Sequence, residues 1–249
     1  MSVYKLLLLL TLITGCATGS KLSKEEKKGH LLLEAGTNSL MGGDYTAALK
    51  NLKNAVELIP DSPEAWNNLG LAYYSKGDAK TAKEHFLKAL KINGKFSDAN
   101  NNLGALYLEE NQLKSAKEVL EKAAKDLTYD KAHQAYYNLA LLSLRQKNLD
   151  EAEKYLGKAV EGNHSYCQGW LKLAEISEKK NNTVLAIERL QNASSGLCYG
   201  FVDGHYELAQ AYVRVRDFES AKIKFEEISK QFPQTAWATQ AERNLLLFK

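Results

Sequence analysis

The sequence predicts an all-α fold: a solenoid of six helix–turn–helix hairpins stacked side by side, closed by one further helix. Three observations carry this expectation. The first is a column of small residues, Gly36, Gly70, Gly104, Ala140, Ala174 and Ala209, spaced by 34, 34, 36, 34 and 35 residues. The second is that two further columns keep those steps: Ala48, Ala82, Ala116, Ala152, Ala186 and Ala221, then Ala55, Ala89, Ala123, Ala159, Ala193 and Ile228. Self-similarity at such a period is the signature of a repeat architecture. The third is composition: the 249 residues include only three prolines and are rich in Ala, Leu, Lys, Glu and Asn, which favour helix. Hydrophobic content of 45% and charged content of 25% are those of a folded chain.

Each unit reads as two antiparallel helices, A then B. Tight turns join them at Gly43-Asp44, Gly77-Asp78, Asn111-Gln112 and Asn181-Asn182. Small residues in the three columns let helix A approach its own B and the next A, while Leu and aromatic residues at helical spacing fill the remaining space. Ser62 followed by Pro63 and Glu64 marks a helix start: a capping hydroxyl, a proline in the first turn and an acid at the dipole's positive end. The repeats are placed at 29–62, 63–96, 97–130, 133–166, 167–200 and 202–235. The segment 236–249 is amphipathic and predicts a capping helix, with Trp237, Ala241 and Leu245 on its buried face.

This pattern resembles the tetratricopeptide repeat. In the second copy Trp66, Leu69, Gly70, Tyr73, Gly77, Ala82, Phe86 and Ala89 all stand at consensus positions. Pro60 and Pro233 fill the closing-proline position, whereas Gly94, Thr128, His164 and Cys198 replace it elsewhere. The resemblance implies a right-handed superhelix whose A helices line the concave side. Carried onto this sequence, the concave positions are Asn67, Asn68, Leu71 and Tyr74, then Asn101, Asn102, Ala105 and Leu108, then Tyr137, Asn138, Leu141 and Leu144. Repeats five and six present Lys172, Glu175, Glu178, Lys179, Glu207, Gln210 and Arg214, a charged wall. An asparagine amide offers two donors and an acceptor, so this row is suited to gripping the backbone of a peptide or helix whose side chains lie on the leucines and tyrosines. The same asparagines could instead only brace the groove.

The N-terminus, "MSVYKLLLLLTLITGCATGS", has one lysine, then an apolar run from Leu6 to Ile13. That run is too short to span a bilayer, which takes about 20 residues, and suits a signal-peptide core over 1–15. "ITGC" resembles a bacterial lipobox, which implies that Cys16 becomes the lipid-bearing mature N-terminus. Ala17 after the cysteine points to the outer membrane, and residues 16–28 read as a lipidated, flexible tether. Cys167 begins helix A of repeat five and Cys198 follows the end of its helix B. The antiparallel hairpin puts both at one end, and an oxidising periplasm makes a disulfide between them expected.

Enzyme chemistry is not expected. His30, His85, His133, His164 and His205 fall in five different repeats, with no close ligand pair and no phosphate-cradling glycine loop. No cofactor, metal or small-molecule substrate is implied. The net charge of +3 is spread as alternating signs, so nucleic acid is not an expected partner.

A lipobox, a short tether and six such repeats resemble the type IV pilus biogenesis lipoproteins, the pilotins of the pilus secretin. The most specific element is the 36-residue junction "EKAAKDLTYDKAHQAYYNLALLSL", where two extra residues precede repeat four. The resemblance implies a non-enzymatic adaptor on the periplasmic face of the outer membrane. It would bind a secretin segment in its groove and promote secretin localisation and multimer assembly. The alternative is a lipoprotein scaffold for outer-membrane β-barrel assembly or cell-wall hydrolases.

Overall fold

The computed structural model describes residues 22–248, so the signal segment 1–15 and Cys16 lie outside the described residues. Six hairpins follow one another: α1 (Lys24–Met41) with α2 (Tyr45–Leu58), α3 (Pro63–Ser75) with α4 (Ala79–Ile92), and α5 (Ser97–Glu109) with α6 (Leu113–Ala124). Then come α7 (Ala132–Arg145) with α8 (Leu149–Gly162), α9 (Cys167–Lys179) with α10 (Thr183–Ala193), and α11 (Val202–Arg214) with α12 (Phe218–Gln231). The helix α13 (Ala236–Leu245) covers the last hairpin, and among the described residues there is no strand.

One periodic device makes every hairpin turn. Gly43, Gly77, Asn111, Lys147, Asn181 and Arg216 hold φ of 79°, 84°, 58°, 60°, 58° and 62°, the left-handed region, each seven positions after a residue of the first small column. The next residue then opens helix B. Asp44, Asp78, Asn148, Asn182 and Asp217 accept a side-chain bond from a backbone N–H three residues on, whereas Gln112 makes no such cap. A helix ended by a left-handed residue and restarted by a capping side chain needs only three connecting residues.

The first small column works by close approach. A Cβ on Gly36, Gly70 or Gly104 would stand 2.6, 2.7 or 2.5 Å from Leu52, Phe86 or Leu120 of its own second helix. In repeats four to six the column is alanine, facing Leu156, Leu190 and Phe225. These six large residues are at most 2% exposed. The core is continuous between hairpins: Ala65, Leu69 and Ala72 of α3 join Leu33, Ala48, Leu52 and Ala55 of the preceding pair. At the far end Tyr206, Phe225 and Ile228 pack with Ala241, flanked by partly buried Trp237 and Leu245 of α13, the face the sequence indicates for the cap. Burying side chains of this size contributes roughly 1.5–3 kcal/mol each.

One expectation is corrected. Helix α1 begins at Lys24, inside the predicted tether 16–28, because Ser23 and Glu26 form a reciprocal capping box that starts the helix early. The two-residue insertion falls where the sequence places it, before repeat four, and outside both flanking helices. It widens the α6–α7 connection to residues 125–131, where other connections, such as 59–62 and 93–96, have four residues. A cleft of about 830 Å³ opens there, between the segments 93–98 and 122–130.

Candidate functional site

The first helices of successive hairpins lie beside one another, α1 against α3, α3 against α5 and α5 against α7, more closely than the second helices do. The stack therefore curves towards the first-helix side. Side chains on this inner face are coupled from helix to helix. Asn102 Nδ2 donates to Asn67 Oδ1 at 2.9 Å, Asn67 Nδ2 to Asn68 Oδ1 at 3.0 Å, and Asn68 Nδ2 to Thr37 Oγ1 at 2.9 Å. Thr37 Oγ1 donates in turn to the Leu33 carbonyl at 2.8 Å. Farther along, Asn138 Nδ2 donates to Asn101 Oδ1 at 3.0 Å. The Tyr74 hydroxyl donates to Glu109, and Arg145 donates to the Leu108 carbonyl.

This wiring changes the role of the asparagines. Asn67, Asn68 and Asn101 are 2%, 8% and 5% exposed, each accepts a bond from a neighbouring asparagine, and Asn67 and Asn68 also donate within the face, so burial and these bonds make them braces of the inner face. Leu108 is also not at the surface: at 3% exposure it belongs to the core shared by α5, α6 and α7. Asn102 and Asn138, on the adjacent turns, stay half-buried. The accessible apolar strip consists of Leu71, Ala105, Tyr137, Leu141 and Leu144, all half-buried, with Tyr74 exposed. Thr37, Glu109 and Arg145, which complete the cross-helix bonds, lie outside the expected set. Their signal was available only as polar residues on the same helix faces, and the cross-helix register that pairs them is not written in any one helix.

The hydrogen bond to Glu109 pushes the Tyr74 phenol up to about 12, so this side chain stays neutral and donating. Burial raises the Tyr137 phenol, while Lys172 and Glu175 act on it in opposite senses, so the apolar strip runs directly into the charged wall. On that wall Lys172 pairs with Glu175 at 2.9 Å and Arg214 with Glu178 at 3.3 Å. Burial is the main cause that lifts the Glu207 carboxyl above the usual range.

Cys167 and Cys198 are joined by a disulfide, with a Cα–Cα distance of 5.5 Å. It ties the first residue of α9 to a 3-10 turn, Gly196–Cys198, just before α11. Next to it, His205 is fully buried. Its Nε2 lies 2.8 Å from the Tyr199 carbonyl, while Nδ1 has no hydrogen-bond partner and sits 3.6 Å from Glu227 Oε1. Among the described residues no cluster of three or more His, Cys, Asp or Glu could hold a metal ion, and no helix is long and apolar enough to cross a membrane.

Family models described as tetratricopeptide repeat match residues 63–96, 85–118 and 133–161, and one described as TPR repeat matches 41–77. The chain is 27% identical over 180 residues to the type IV pilus assembly protein PilF of Pseudomonas aeruginosa, covering 70% of this chain and 71% of that protein. The solved structure of Pseudomonas aeruginosa PilF superposes with a TM-score of 0.72 at 19% identity, covering 89% of this chain and all of that one. PilW, described as a widely conserved type IV pilus biogenesis factor, gives 0.71 at 18% identity over 85% of this chain and 97% of its own. YrrB, described as a TPR protein with an unusual peptide-binding site, gives 0.52 at 19% identity over 77% and 97%. At these identities the structural likenesses establish the fold. Six hairpins in one register, the repeat models and these neighbours together show the tetratricopeptide-repeat solenoid fold, in a chain similar along most of its length to type IV pilus assembly and biogenesis factors.

Proposed function

We propose that the chain is a non-catalytic adaptor of type IV pilus biogenesis, a pilotin. In this reading lipid on Cys16 anchors it to the periplasmic face of the outer membrane. Its first-helix face holds a segment of the pilus secretin and so promotes secretin localisation and multimer assembly. The observation that carries the reading is the accessible apolar strip along α3, α5 and α7, bordered by a charged wall, on a solenoid similar to PilF. Such a partly exposed apolar strip on a folded chain fits a protein partner better than bare solvent. The disulfide suits an oxidising compartment. Two or three acyl chains would anchor such a protein firmly, where one binds only marginally.

The test is a strain whose only copy carries Leu141→Glu or Cys16→Ser, with secretin multimers read on gels of unboiled membranes. Leu141→Glu places a charge on the half-buried strip and leaves the buried asparagines themselves unsubstituted. It is expected to leave the protein folded and membrane-bound and to lower secretin co-purification by about tenfold or more. Cys16→Ser is expected to move the protein to the soluble fraction and reduce multimers as well. Normal multimers with both variants would sink the proposal.

A further inference from the structure

The inner face leaves one carboxylate without a counterpart. Asp203, Glu207, Gln210 and Arg214 follow at helical spacing along one side of α11. Facing acids on α9 are already engaged: Glu175 takes two bonds from Lys172 Nζ, both at 2.9 Å, and Glu178 holds Arg214 at 3.3 Å. Gln210 Nε2 donates to the Tyr206 hydroxyl at 3.0 Å. Among the described residues, Glu207 forms neither a hydrogen bond nor an ion pair, yet it is half-buried. Burial disfavours its charge, Glu175, Asp203 and Glu178 add to that, and Arg214, committed to Glu178, is the only opposing influence. A carboxylate that has shed part of its hydration and gained no partner is a standing cost, and a cation supplied from outside would remove it.

The apolar part of the face adjoins this wall, because Tyr137 lies within the influence of Lys172 and Glu175. An acidic ligand side chain would meet four carboxylates there, and an apolar one would leave Glu207 buried further and still unpaired. Resting on the groove reading above, we propose that the protein segment held along the first helices is bipartite: apolar side chains lie over Leu71, Ala105, Leu141 and Leu144, and a lysine or arginine stands opposite Glu207. A guanidinium, with donors fanned in one plane, would serve both Glu207 and Asp203, one turn away on the same helix.

Random dodecapeptides displayed on phage, selected on the purified full chain and in parallel on Glu207→Gln, test this. Selection on the native protein is expected to enrich sequences that join an apolar cluster to a basic residue, and Glu207→Gln is expected to lose the basic preference. The most enriched peptide, made synthetically with a fluorophore, should bind Glu207→Gln about tenfold more weakly, weaken further with added salt, and fail to bind Leu141→Glu. Thermal melting of Glu207→Gln should be no lower than that of the native protein, since the lost charge has no internal partner. Peptides blocked by Leu141→Glu but carrying no basic residue, or indifferent to Glu207→Gln, would overturn this inference and leave the groove reading standing. Peptides indifferent to Leu141→Glu, or no enrichment at all, would overturn both.

Discussion

Single residues show where the repeat is satisfied and where it is strained. All six hairpin turns place a left-handed backbone at one register, but only Gly43 and Gly77 adopt it freely, and Asn111 and Asn181 tolerate it. Lys147 and Arg216 do so with a full side chain, at a cost of roughly 1–2 kcal/mol each. Arg216→Gly is therefore expected to raise the urea midpoint, by an equivalent of about 1 kcal/mol after the glycine's extra unfolded-state freedom is subtracted. His205 is strained differently. Burial, first, and Lys224 hold its imidazole below the ordinary 6.5, whereas the Tyr199 carbonyl and Glu227 pull it up. Since the folded state resists the proton, the stability His205 carries is complete above about pH 6.5 and is lost as the pH falls below it. Urea midpoints at pH 7.5 and 5.5 should thus fall towards acid, and His205→Gln should flatten that difference. An unchanged slope in the variant would place the sensitive group elsewhere.

At the scale of elements, the hairpins were legible because three constraints recur together: a small residue for close approach, a turn-permitting residue, and a capping side chain. Gly70 with Phe86, then Gly77 and Asp78, state all three within one copy. The start of α1 was equally written, in Ser23 and Glu26, but a lysine-rich polar stretch reads as tether unless that pair is weighed first. The long α6–α7 connection was visible as an insertion, whereas the cleft it opens depends on where two loops meet in space. The Cys167–Cys198 bond followed from antiparallel geometry, since the start of one helix and the end of its partner share an end. Reducing it should lower the unfolding free energy by roughly 3–4 kcal/mol on the loop-entropy estimate for a separation of 31 residues. The loss should fall on α9 to α11, seen as faster hydrogen exchange there. Uniform loss over the whole chain would instead point to one all-or-none unit.

In the whole molecule, stability is a sum over neighbours, because each hairpin shares its core only with the next. Removing residues 236–249 should therefore act locally. It uncovers Tyr206, Phe225 and Ile228, so amides of α11 and α12 should lose protection while those of α3 to α6 keep theirs. The inner face was legible as a row of residues but not as a surface. Which asparagines point outward depends on how far each first helix is displaced past its neighbour, and no single repeat encodes that distance. The resulting relay has a direction: Asn102 gives to Asn67, Asn67 to Asn68, Asn68 to Thr37, and Thr37 to a main-chain oxygen of its own helix. Each of these amides already gives one bond to a neighbour and most are buried, so a visiting chain finds fewer of them free to replace the water it sheds. An extended guest would arrive with main-chain groups unanswered, whereas one already coiled, its peptide groups bonded along its own axis, would surrender nothing on entry.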